Sequence, residues 1–170
     1  MNIRDGSDLT PLLGELSPDR YRDLVDRLIR VDARLAKLAE VASLHVQVPY
    51  SATPLSHVTG EGGRSAGFHG GSSGDAGDIW VDVSPDERDA NGVVVRWVVE
   101  SLIVVFCADA PEPRGGSATH PLVKFVETVH SPQDLVAALE TQVAALEAEV
   151  LKHPPGEYTK SLHADLPKWG

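Results

Sequence analysis

Seven histidines, one cysteine and a glycine-rich middle are the places where this 170-residue chain has the residue types for chemistry. His57, His69, Asp75 and Asp78 share one stretch, and all four are types that ligate metals. Their spacing matches no ligand pattern such as two histidines one helical turn apart, so they read as polar loop residues and no metal site is expected. Gly60-Glu61-Gly62-Gly63-Arg64-Ser65-Ala66-Gly67 has the composition of a phosphate cradle. Such a cradle needs a helix N-terminus directly after its glycines and a lysine to meet the phosphates. Here more glycine follows and Glu61 would repel phosphate, so neither a nucleotide nor any other cofactor is expected.

Ser161, His163 and Asp165 are the residue types of a hydrolytic triad, but they alternate within one terminal segment. Working triads draw their members from separate, rigid elements, so these three read as coincidence. Cys107 has no basic neighbour in sequence and falls on the apolar side of a strand, which suits a buried thiol rather than a nucleophile. His130 precedes the helix cap Ser131 and reads as structural. Glu127 is the strongest acid/base candidate. It stands between Phe125 and Val129 on an apolar strand side, and a carboxylate buried there is costly and gains proton affinity. A loop histidine, His69, completes the one acid/base pair the chain offers. The plainer alternative is that a bulge turns Glu127 outward or that it lies beyond the helix cover.

The elements that would position these residues follow from periodicity and punctuation. After a lead-in at residues 1–16, Ser17 caps a helix, Pro18 takes its first position and Asp19 meets the positive end of the dipole. Leu24, Leu28, Val31, Leu35 and Leu38 form one apolar seam, with Arg20, Asp23, Arg27, Arg30, Asp32 and Arg34 assigned to the other faces. The seam is read as a helix packing on a sheet, the alternative being a short coiled coil. Leu44, Val46 and Val48 alternate with His45 and Gln47 as a short strand at 43–50, stopped by Pro49. Residues 51–77 are rich in glycine and read as a long loop.

Ile79-Trp80-Val81-Asp82-Val83 alternates as a strand that Ser84-Pro85-Asp86 ends, and Asn91-Gly92 marks a turn. Residues 93–107, dense in valine, read as one long strand or a hairpin, and 122–129 as another strand. Ser131 and Pro132 open the last helix, whose stripe is Leu135, Leu139, Val143, Leu146 and Val150. A tail at 154–170 ends with Trp169 one residue from the terminus. The expectation is a single α+β domain. Its antiparallel sheet has three to four strands, with an N-terminal and a C-terminal helix packed on one face, in the order helix, strand, glycine-rich loop, three strands, helix.

Composition narrows the functions. A net charge of −10 opposes binding to phosphate backbones and to anionic membranes, and no Lys/Arg run offsets it. Nucleic acid and membrane partners are therefore not expected, and a basic partner is favoured. One cysteine allows no internal disulfide, the N-terminal segment lacks an apolar signal region, and the most apolar run, 93–108, holds Arg96 and Glu100. A soluble, cytoplasmic protein is expected.

Strand alternation then separates two sheet faces. Val95, Trp97, Val99, Ser101, Ile103, Val105 and Cys107, with Ile79, Val81, Val83, Val123, Phe125 and Val129, form the face for the helices. The second face carries Trp80, Val98, Leu102, Val104, Phe106, Leu122 and Val126 among Asp82, Arg96, Glu100, Lys124 and Thr128. That is too apolar for a wholly wetted face. Either the tail, with Trp169 as plug, or the glycine-rich loop covers it, or it is an interface with a protein partner or a second copy. The leading expectation is a non-catalytic interaction or assembly subunit. The alternative is a small enzyme or ligand-binding domain with a pocket roofed by residues 57–78.

Overall fold

The protein is described here by a computed structural model covering residues 2–46, 49–74, 77–107 and 118–152, with backbone path alone at 45, 46, 105–107 and 118–122. A short α1 (Thr10–Leu13) leads into the long α2 (Pro18–Val46). Five strands follow: β1 (Tyr50–Thr59), β2 (Ser65–Gly74), β3 (Gly77–Arg88), β4 (Val94–Cys107) and β5 (Ala118–Val129). α3 (Pro132–Val150) closes the fold. The strands pair antiparallel in chain order, β1-β2-β3-β4-β5, and α2 and α3 pack on one face of the sheet. This is the expected α+β class with both helices on one side, but with five strands rather than three or four.

The extra strand comes from the segment whose glycine content predicts a loop, because residues 50–74 form a hairpin. Gly67 and Gly71 adopt φ of +116° and +144°, where a Cβ would lie 1.8 Å from the Val83 carbonyl oxygen and 2.1 Å from that of Ile79. Glycine here permits close approach of β2 to β3 instead of loosening the chain. The phosphate-cradle segment is the hairpin's turn: a 3-10 turn at Glu61–Gly63, with Gly60 N–H donating to the Arg64 carbonyl at 2.7 Å.

The strand expected at 43–50 is also corrected. α2 continues to Val46, since three alternating residues do not outweigh a helix that is still burying Ala39 and Ala42. Leu44 is 73% exposed, and Ser43 Oγ accepts the Tyr50 N–H at 2.9 Å to start β1. The lead-in carries structure as well. Ile3, Leu9, Leu12 and Leu13 are buried, Trp97 Nε1 donates to the Leu12 carbonyl at 3.1 Å, and Tyr21 Oη accepts the Leu9 N–H at 3.0 Å.

Both helix starts match their sequence signals. Ser17 Oγ accepts from Arg20 N at 3.4 Å, and Ser131 Oγ from Asp134 N at 3.1 Å. The seam Leu24, Leu28, Val31, Leu35, Leu38 and the stripe Leu135, Leu139, Val143, Leu146, Val150 are all buried in one core. Five strands between two helices, each reversing the chain, leave α2 and α3 parallel. Two ion pairs record this: Arg27 reaches Glu140 and, seven residues on in both helices, Arg34 reaches Glu147. In each, Nε donates to the carboxylate at 3.1 Å.

The valine-rich run is one strand, the first of the two readings its β-branched content allows, and not a hairpin. β3, however, passes through Pro85 to Arg88, because register shifts on both sides of Glu87 remove the need for a regular ladder bond from the proline. The same irregularity corrects Val95. Glu87 pairs with Arg96 and Arg88 with Val94, so Val95 is extra and the alternation inverts: Val94 is buried and Val95 exposed. From Trp97 onward Val99, Ser101 and Ile103 face the helices as expected. Replacing Gly71 with alanine should cost about 2 kcal/mol or more, since the new Cβ meets backbone rather than a movable side chain. Urea unfolding of Gly71→Ala, compared with Gly62→Ala, where no atom lies within 4 Å of the added Cβ, measures it.

Candidate functional site

The face of the sheet turned away from the helices can be built row by row from the register. Across β2, β3, β4 and β5, one row reads Gly71, Trp80, Leu102, Lys124 and the next His69, Asp82, Glu100, Val126. Flanking rows place Ser84 beside Val98 and Thr128, and Asp78 beside Val104. Trp80, Val98 and Leu102 are half-buried, Val104 is 9% exposed and Val126 is 56% exposed. Phe106 and Leu122, also expected here, lie on strands whose side chains are outside the described set at those positions. Among the described residues no helix packs on this face. Opposite Trp80 stands Gly71, which brings no side chain, and the indole's ring contact is with His69, edge-on at 5.3 Å between centroids.

The row beside this apolar pair is electrostatically unfavourable. Asp82 and Glu100 stand directly opposite each other on adjacent strands, where side chains on one face approach to about 5 Å and like charges destabilise. Each has a basic neighbour within ion-pair distance: His69 Nδ1 lies 3.7 Å from Asp82, and Lys124 Nζ 3.5 Å from Glu100. At one end of the face Arg96 is held by Asp86 at 2.5 Å and Glu87 at 2.8 Å. The centre of the outer face is therefore an aromatic–aliphatic pair bordered by a surplus of negative charge.

The acid/base alternative is not assembled. Glu127 lies on β5, the edge strand, opposite Val99 of β4, and is exposed. It belongs to the inner-face series while His69 belongs to the outer face, and the two are three strands apart, roughly 14 Å at the usual interstrand spacing. The grooves at α1 and at the starts of α2 and α3 are lined by neither. His57 and His69 point to opposite faces, and among the described residues no group of three metal-ligating side chains converges. Asp75, the Ser161/His163/Asp165 series and Trp169 lie outside the described residues, as does the Cys107 side chain.

Two polar sites escape a reading of the sequence alone. Asp32, assigned by its charge to a wetted helix face, is buried; its position four after Leu28 and three before Leu35 is the signal. Its carboxylate accepts Leu55 N–H at 2.8 Å, freed by a register shift in β1, and pairs with Arg4 Nε at 2.5 Å. His57 is buried against Phe68, with its Nε2 3.0 Å from Ser65 Oγ. Burial pushes its pKa below the ordinary imidazole value, against the pull of Asp8. In the core, Ser101 Oγ and Gln142 Oε1 have no hydrogen-bond partner among the described residues, although Gln142 Nε2 donates to the Val99 carbonyl at 3.0 Å.

Compared with known proteins, the chain matches no family model, no curated protein and no solved structure. No helix among the described residues is long and apolar enough to cross a membrane.

Removing the Asp32 carboxylate orphans a buried N–H, so Asp32→Ala should lose about 2–3 kcal/mol while Asp32→Asn, which keeps one acceptor, loses roughly half of that; denaturant midpoints check both. For His57 the folded pKa lies below the unfolded one, so the unfolded chain binds the proton more readily. The stability contributed by neutral His57 is complete above the unfolded pKa and lost as pH falls below it. Wild type should lose more stability than His57→Gln between pH 7.5 and pH 5.5, and parallel pH profiles of the two would refute the assignment.

Proposed function

We propose that this protein is a non-catalytic interaction subunit that binds a basic partner protein through the outer sheet face. The observation that carries this reading is the adjacency of two pairs, Trp80 beside Leu102 and Asp82 opposite Glu100. An acidic cross-strand pair costs stability in the free chain, and a lysine or arginine from a partner would relieve it. The neighbouring indole and leucine supply the apolar centre around which interfaces concentrate their affinity. The whole chain's charge of −10 favours encounter with a basic surface in the same sense. It also argues against two copies meeting face to face, which would bring their acidic pairs together.

A photo-crosslinking amino acid at position 102, with a second variant bearing it at exposed Arg22 on α2, tests the reading in cells that make the protein. Position 102 should give a discrete adduct with a basic protein, and position 22 should not. Asp82→Asn with Glu100→Gln, which removes the facing charges without creating new ones, should abolish that adduct without lowering the melting temperature. An adduct that survives this neutralisation, or no adduct at 102, would refute the proposal.

A further inference from the structure

The two edges of the sheet are treated differently. β1 is blunted at its middle. Pro54 lies within it, a register shift separates Thr53 from Ser56, Asp32 takes the Leu55 N–H, and Asn2 forms an isolated bridge to Ser56. These are the devices by which edge strands avoid pairing. β5 has none of them over its second half. From Val123 to Val129 its pairing with β4 is regular, the one register shift falling earlier, opposite the Ile103–Val104 step. Among the described residues nothing pairs with its outer edge.

The sequence of that edge is Val123-Lys124-Phe125-Val126-Glu127-Thr128-Val129. It holds neither proline nor glycine, is dominated by β-branched and aromatic residues, and carries one positive and one negative charge. High β-propensity, no net charge and no breaker together mark a strand that pairs with its own kind. The balance of charge matters in a chain of −10, because it lets two copies approach here without the repulsion they would meet elsewhere. Phe125 and Val123 are only partly covered by the core and Val126 is 56% exposed, so apolar surface remains to be buried on both sides of the edge.

We infer that β5 pairs antiparallel with β5 of a second copy of this chain, joining two sheets into one of ten strands. In a twofold antiparallel pair, opposing residues share a face, so the axis falls on a residue. Centring on Val126 pairs the whole run: Val123 with Val129 of the partner subunit, Lys124 with the partner's Thr128, and Phe125 with the partner's Glu127. No like charges then oppose each other. The joined sheet keeps the four long helices on one side and leaves both Trp80 faces on the other. This inference does not rest on the outer-face reading, and crosslinking from position 102 is a separate readout.

The register makes the test specific, since Lys124 and Thr128 are both exposed and either can be changed without disturbing the core. Sedimentation equilibrium of the full chain should reveal a dimer. Thr128→Glu, which faces Lys124 of the partner subunit twice per dimer, should tighten it by roughly threefold to tenfold. Thr128→Lys should weaken it by a similar factor, and Lys124→Glu with Thr128→Lys should recover the tighter association. Melting temperatures at concentrations where each variant is monomeric separate these effects from misfolding. A strict monomer, or a dimer indifferent to the three substitutions, overturns the inference. So does a monomer whose amides at 123–129 lose exchange protection when residues 153–170 are removed, because the chain's own tail would then hold the edge.

Discussion

Two helices lie on one face of the sheet, and that one-sidedness governs every other feature of the fold. It fixes which strand residues must be apolar, and the register irregularity at Val95 turns Val94 inward at the start of β4. The glycines of β2 answer to its neighbouring strands, where a Cβ would strike backbone: at Gly70 it would meet Leu55, and at Gly71 Ile79 and Trp80. The opposite face then holds whatever the helices cannot cover. In this chain that is an indole and a leucine beside two facing carboxylates.

The part of the fold that can be read directly from the residues is the part that rests on periodicity and caps. Both long helices, their capping serines, their apolar seams and the single β4 strand have strong local signals, because burial on one side imposes a period that the sequence must obey. The sheet faces are also legible wherever the ladder is regular, from Trp97 to Ile103. The failures share one cause. Glycine at 51–77 has the composition of a loop, whereas its use there is close backbone approach, which is a property of the strand lying opposite and invisible along one chain. Ser84-Pro85-Asp86 misplaces the end of β3, and alternation misplaces Val95, because an irregularity in the ladder shifts parity without leaving a mark in composition.

The candidate site is legible to a similar depth. Alternation assigns Trp80, Val98, Leu102, Val104 and Val126 to the outer face, and the structure places them there. That Asp82 stands opposite Glu100 needs the register between β3 and β4, which local sequence does not specify. Glu127 shows the reverse case: alternation gives it the correct face but cannot say that its carboxylate stays exposed between Phe125 and Val129, which pack on the core. Asp32 sits at core spacing, but a carboxylate is not expected in a core until its partners, Leu55 N–H and Arg4, are known.

The meander order has a kinetic consequence. Each ladder joins consecutive strands, so the sheet can assemble hairpin by hairpin through short closures. The contact between α2 and α3 is of another kind, for Arg27 and Glu140 are separated by 113 positions in sequence. Closing that span has value only once the intervening strands have shortened it, which places helix–helix docking late on the folding path. The two interhelical ion pairs therefore act chiefly as a latch on the finished molecule, slowing its opening far more than they hasten its formation.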